Sequence, residues 1–164
     1  MHVPVQDGSA ARQWMFLIEM NMRYNAFLFP HKAYQTNFSL FLLALRLLFG
    51  GLLMTHGYAK LTEFVSLAVI FPDPLGIGGR YSLMLAIFGE LFCSVAFVLG
   101  FLLRLSLLPM IVTMAVAFFY VHGGSLAGGE LALIYLVVFV LIYLVGPGRF
   151  SVDCWMSGGG RRKR

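Results

Sequence analysis

The chain has 164 residues, of which 60% are hydrophobic, 15% aromatic and 12% charged, and it carries a net charge of +5. Soluble domains hold about 25% charged residues, so this composition, with a mean hydropathy of +0.85, excludes an ordinary water-soluble domain and describes a membrane protein. The surplus of basic residues does not indicate nucleic acid. They flank apolar segments instead of forming a face, as topology and anionic lipid heads require.

Residues 1–36 read as an extension. Met1 to Arg12 has no apolar core, so no cleavable leader is expected there. Residues 12–30 combine Trp14, Leu17, Ile18 and Leu28 with Glu19, Asn21, Arg23 and Asn25. That mixture predicts an amphipathic helix lying in the membrane interface in preference to a fifth span. Four segments then qualify as spans: Phe38 to Tyr58, Tyr81 to Leu103, Leu105 to His122, and Glu130 to Val145. At about 1.5 Å per residue each is long enough for a hydrocarbon core of about 30 Å, and backbone satisfaction in lipid makes them helices. The expected fold is therefore an all-α membrane protein, a four-transmembrane-helix bundle with an N-terminal interfacial helix. Its organisation is an extension over residues 1–36, a membrane domain over 37–155 and a disordered basic tail over 156–164.

The connections differ in kind. The first is about 20 residues long, and Pro72, Asp73, Pro74 and the glycines Gly76, Gly78 and Gly79 forbid a continuous helix through it. Its apolar part, Phe64 to Phe71, is suited to dip into the membrane or cover the bundle. The second connection turns at Arg104 with almost no spacer, and the third, GGSLAGG, reads as a flexible loop. With four spans both termini share a side. That side holds Arg12, Arg23, Lys32, Arg104, Arg149 and the terminal run from Arg161, against only Lys60 and Arg80 opposite. The bias predicts an inner-membrane protein with cytoplasmic N- and C-termini.

Arg46 and Glu90 each lie inside a span, where a charge costs roughly 2.5–3.5 kcal/mol on translocon scales. Counted from opposite sides of the membrane, both fall at middle depth, so an Arg46–Glu90 ion pair across antiparallel helices is the simplest arrangement that tolerates both. The same spacing serves either helix register or a functional polar layer. A second cluster gathers at the outer ends: His56 and Lys60, four apart on one face, Tyr120 and His122 at the end of the third span, and Glu130 opening the fourth, with Asp73 in the long loop. Each alone is an ordinary interfacial residue. Together they form a candidate ligand or proton site. No HxxxH or ExxH spacing supports a metal, bis-histidine haem would need both rings facing one cavity at one depth, and no GxSxG motif or activated thiol points to a nucleophile. Cys93 and Cys154 belong to no CxxC pair.

A set of motifs in order then stands out: LRLLFG around Arg46, HGYAKL from His56, GEL around Glu90, LGFLLRLSLL from Leu99, a helix ending in His122, GGELAL from Gly128, and GPGRFSVD from Gly146 to Asp153. Over residues 40–153 this order and spacing resembles the DoxX family of four-helix bacterial inner-membrane proteins. The resemblance implies a cytoplasmic-membrane protein associated with quinone or redox partners, since family members include a small subunit of a thiosulfate:quinone oxidoreductase. It assigns no catalytic role to Arg46, His56, Lys60, Glu90, His122 or Glu130. Three functions stay open: an accessory or quinone-interacting subunit of a membrane oxidoreductase system, with quinone as the cofactor implied; a non-catalytic scaffold or assembly factor; and a small-solute or proton transporter. The expected partners are the lipid bilayer and either a redox-complex protein or a second copy, with no nucleic acid.

Overall fold

A computed structural model describes residues 13–17 and 36–158. Residues 13–17 are helical and Trp14 is exposed. The remainder of the expected interfacial helix and the basic tail from residue 159 lie outside the described residues. The helices are α1 (Thr36–Thr62), α2 (Phe64–Ile70), α3 (Gly79–Leu99), α4 (Leu103–Val121), α5 (Leu126–Val145) and α6 (Val152–Met156). Four of them, α1, α3, α4 and α5, are long and apolar enough to cross a membrane.

Two boundaries differ from the hydropathy pattern for physical reasons. Helix α1 continues past Tyr58 to Thr62, with Lys60 in its last turn, where a cation complements the helix dipole. Helix α5 opens at Leu126, four residues ahead of Glu130, so Glu130 is not a helix-opening residue. The glycines of GGSLAGG are partly packing residues: a Cβ at Gly129 would sit 2.9 Å from Phe118 Cδ2 and 3.0 Å from His122 Cβ. What composition presents as a flexible loop is half helix.

The helices alternate in direction. Gly50 of α1 meets Phe97 and Val98 of α3, whereas Gly57, two turns further along α1, meets Glu90 and Leu91. A Cβ at Gly57 would lie 2.8 Å from Leu91 N, so this crossing is backbone-close, the packing that small residues permit in lipid. Between the helices lies a core of Leu53, Phe97, Leu107, Met110, Phe139 and Ile142, with the Phe97 and Phe139 rings edge to face at 5.4 Å. Around the outside, Leu47, Leu48, Phe92, Val112, Leu141 and Leu144 are exposed. That inverts a soluble bundle and is what a bilayer requires. The chain is a multi-pass membrane protein.

At the end of the bundle where α3 turns into α4, two charged residues tie the structure together. Arg46 is 1% exposed; its Nη1 donates to the Pro147 carbonyl at 2.6 Å, and its Nη2 donates to Val98 at 2.9 Å and Phe150 at 3.0 Å. The Val98 carbonyl is one of those that the end of α3 leaves without an intrahelical partner. Asp153 does the converse for α4. Its carboxylate accepts from the Leu102 and Leu103 amides at 2.7 and 2.8 Å, and its own N–H donates to Gly100 O at 3.0 Å. A cation at one helix C-terminus and an anion at the next N-terminus both suit the dipoles. The turn between them is sharp: Gly100 has φ +66° and Leu102 has φ 44°. A left-handed leucine costs about 1–2 kcal/mol, and the two-pronged Asp153 contact holds it. Gly100 admits no side chain, because a Cβ there would lie 2.9 Å from the Arg46 guanidinium carbon.

The expected Arg46–Glu90 pair is not formed. Glu90 lies at the level of Gly57, eleven residues along α1 from Arg46, or roughly 16 Å along the axis at 1.5 Å per residue. Counting depth from the ends of the apolar runs concealed this offset.

Replacing Arg46 with Leu strands three carbonyls in an apolar setting, a loss on the order of 3 kcal/mol. Asp153→Ala costs about 2 kcal/mol by leaving two amides unpaired. Thermal unfolding in detergent checks both, and Arg46→Leu/Glu90→Leu is expected to be additive, with no rescue.

Candidate functional site

The opposite end of the bundle, called here the loop end, gathers the other polar residues. Glu90 sits in a π-helical turn, Phe88–Phe92. Such wide turns recur at functional sites because the extra residue re-aims a side chain. Two glycines bring neighbouring helices onto this turn. A Cβ at Gly57 would lie 2.8 Å from Leu91 N, and one at Gly89 would lie 2.6 Å from Thr113 Oγ1. Glu90 is thereby enclosed by α1 and α4, and Lys60 Nζ donates to its Oε2. The Glu90 side chain is 6% exposed and that of Lys60 27%, so the lysine reaches outward while the carboxylate is sunk. A second π turn, Ala117–Val121, ends α4 and delivers His122 to the same level.

Two cavities meet at the ion pair. The larger, about 310 Å³, is walled by Leu85, Ala86, Val112 and Val116 and roofed by Phe71, Pro72, Pro74 and Leu75. The smaller, about 200 Å³, is lined by Leu53, His56, Met114, Ala132 and Tyr135. Lys60, Glu90, Ala117 and His122 belong to both. The pair therefore forms part of a wall between an apolar chamber and one edged by two imidazoles and a phenol.

Of the residues singled out from the sequence, His56, Lys60 and His122 converge here, and Glu90 joins them. Tyr120 and Glu130 are exposed and line neither cavity. Arg46 belongs to the other end. Tyr135, 2% exposed and packed edge to face on Phe49 at 5.6 Å, was not singled out; its signal is a phenol in an otherwise apolar run, LALIYLVV. Among the described residues no group of three or more His, Cys, Asp or Glu side chains is placed to hold a metal ion.

The roof of the larger cavity is latched by Asp73. Its carboxylate accepts from Gly78 N at 2.7 Å, Ser82 Oγ at 2.9 Å and Ile77 N at 3.1 Å, and Gly76 and Gly78 supply the positive φ that the turn needs. These donors, the Gly78 amide foremost, hold the Asp73 carboxyl below the usual carboxylate range.

A family model, DoxX, matches residues 41–123. The chain belongs to the DoxX family. The matched stretch contains Arg46, His56, Lys60, Glu90 and His122, while Tyr135 and Asp153 fall beyond it. Similar to this DoxX protein is an uncharacterized protein of Haemophilus influenzae, 31% identical over 121 residues that cover 69% of this chain and 88% of the relative. No solved structure matches it.

Lys60→Met leaves a buried carboxylate unpaired, at a cost of about 3 kcal/mol. Adding Glu90→Gln is expected to recover more than about 1 kcal/mol of that loss, read as a coupling energy in a double-mutant cycle of thermal unfolding. The Asp73 latch has a defined sign. A carboxyl lowered in the folded state stabilises it above the unfolded value, and that contribution is lost only as pH falls through the folded one. Hydrogen exchange at the Ile77 and Gly78 amides, corrected for intrinsic rate, is expected to stay protected down through the usual carboxylate range and to fail below it. Asp73→Ala should remove the protection at every pH.

Proposed function

We propose that this DoxX-family protein is a quinone-interacting accessory subunit of a membrane oxidoreductase system. The observation that carries the reading is the Lys60–Glu90 pair set in the wall of an apolar cavity of about 310 Å³. Pockets for small hydrophobic ligands are mostly apolar, with a few placed polar groups, and this one offers an ammonium, a carboxylate and the His122 imidazole at one edge. A quinone fits that donor set: its ring matches the Leu85, Ala86 and Val116 walls, and its carbonyls accept from Lys60 and His122. When bound, a quinone supplies two-electron, two-proton carrier chemistry. The chain contributes the rest. Lys60 and His122 orient a carbonyl, and Glu90 holds or accepts a proton.

Electrons come from a partner subunit in this reading. With the termini cytoplasmic and the protein in the inner membrane, as the basic residues favour, the loop end and both cavities lie on the outer side. A scaffold or assembly role is the second reading. It is favoured by α2, none of whose residues is buried and whose Val65 and Val69 are each 85% exposed.

Decylubiquinone titrated into protein in nanodiscs is expected to bind saturably. Lys60→Met and Glu90→Gln should each weaken it about tenfold or more, the loss of one charge-assisted contact, and Tyr120→Phe should leave it unchanged. Absence of saturable binding to the unaltered protein, or equal binding by all variants, removes the quinone reading and leaves the scaffold.

A further inference from the structure

The two cavities differ in what surrounds them. Val112, Leu85 and Val121 line the larger and are among the residues exposed on the apolar flank of the bundle. That chamber therefore opens towards lipid, beneath the Phe71–Leu75 roof. The smaller chamber is bordered by His56, His122 and Gly128, all exposed at the loop end, and runs inward to Leu53, Met114 and Tyr135. Lys60 and Glu90 belong to both walls.

We propose that the smaller cavity is a water-filled vestibule that connects Glu90 and Lys60 to the medium at the loop end, while the larger is filled from the bilayer by the apolar body of a membrane-dissolved ligand. A buried carboxylate with one partner among the described residues retains lone pairs to satisfy, and a chamber of about 200 Å³ bordered by polar groups has room for several waters. The titratable groups that line this chamber with Glu90 are Lys60 and His56 from α1, His122 just after α4 and Tyr135 from α5. Each donates or exchanges a proton. The ion pair thus stands at an internal boundary between water and hydrocarbon, and Glu90 can pass a proton to water on one side while facing a lipophilic molecule on the other. The ligand class is the one read above; the water path stands or falls separately.

Cysteine accessibility in nanodiscs, with both faces free, tests the division. Ala132→Cys and Met114→Cys report on the smaller chamber, Ala86→Cys and Val116→Cys on the larger, and Ser125→Cys on the open loop end. The reagents are the permanently charged trimethylammonium-ethyl methanethiosulfonate and uncharged N-ethylmaleimide. Adducts are located by peptide mass, which separates them from Cys93 and Cys154, and each variant is first required to elute as the unaltered protein does. The charged reagent is expected to label Ala132→Cys or Met114→Cys within about tenfold of the Ser125→Cys rate, and Ala86→Cys and Val116→Cys at least about tenfold more slowly, since only a water-reached thiolate reacts with it. N-ethylmaleimide, which is uncharged and partitions into lipid, should still label the latter two, slowly because a thiol in an apolar wall is less ionised. Exclusion of the charged reagent from both small-chamber positions overturns the proposal, as does its equal access to the large chamber. Neither readout uses a quinone, so a failure of quinone binding with the labelling pattern intact removes the ligand assignment alone.

Discussion

A guanidinium among hydrocarbon has to be given acceptors, and in this protein it is given backbone. Arg46 takes one carbonyl from the end of α3 and two from the segment that follows α5. Because those acceptors lie on fixed backbone, the guanidinium sets where three parts of the chain meet. Asp153 then adds the start of α4 from the same returning segment. The cost of burying charge is met here by helix ends, whose orphan groups need partners in any case. One residue with little freedom to change is consequently small: Gly100, which abuts the guanidinium.

With that end fixed, the loop end is free to be open. Gly57 and Gly89 let α1 and α4 close on the Glu90 turn of α3, and the two π turns spoil regular packing next to it. The result is two chambers where a uniform bundle would have side chains. A buried ion pair is weak evidence for stability, since well-packed apolar residues commonly do as well. In the reading proposed above, the pair is part of a site and not a brace.

Much of this was legible in the sequence, and the reasons are particular. The spans follow from runs such as ALIYLVVFVLIYLV, and the convergence of His56, Lys60 and His122 follows from alternating helix direction. The partner of Glu90 was not legible. Hydropathy gives the ends of a span only to within a turn or so, and such errors in α1 and α3 add in the register between them, which puts Arg46 and Glu90 at similar depth when they are roughly 16 Å apart. Lys60 was visible as a helix-end cation, but the π turn that aims Glu90 at it has no compositional mark. The role of GPGRFSVD was equally hidden. Its motif is plain, yet a carbonyl acceptor carries no side-chain signature, and Pro147 and Phe150 act through backbone alone.

The returning segment also has a consequence for biogenesis. Pro147 and Phe150 lie 101 and 104 positions after Arg46, so when the first span leaves the translocon most of its acceptors have not been synthesised. The helix must enter the bilayer, or wait at its edge, with an arginine that only water, lipid headgroups or the insertion machinery can accommodate. Assembly is then ordered by translation: the first helix is the last to be completed, and its final seat is made by residues that emerge from the ribosome after every span is already out. A chain truncated between Val145 and Asp153 would hold all four spans and still be a substrate for membrane quality control.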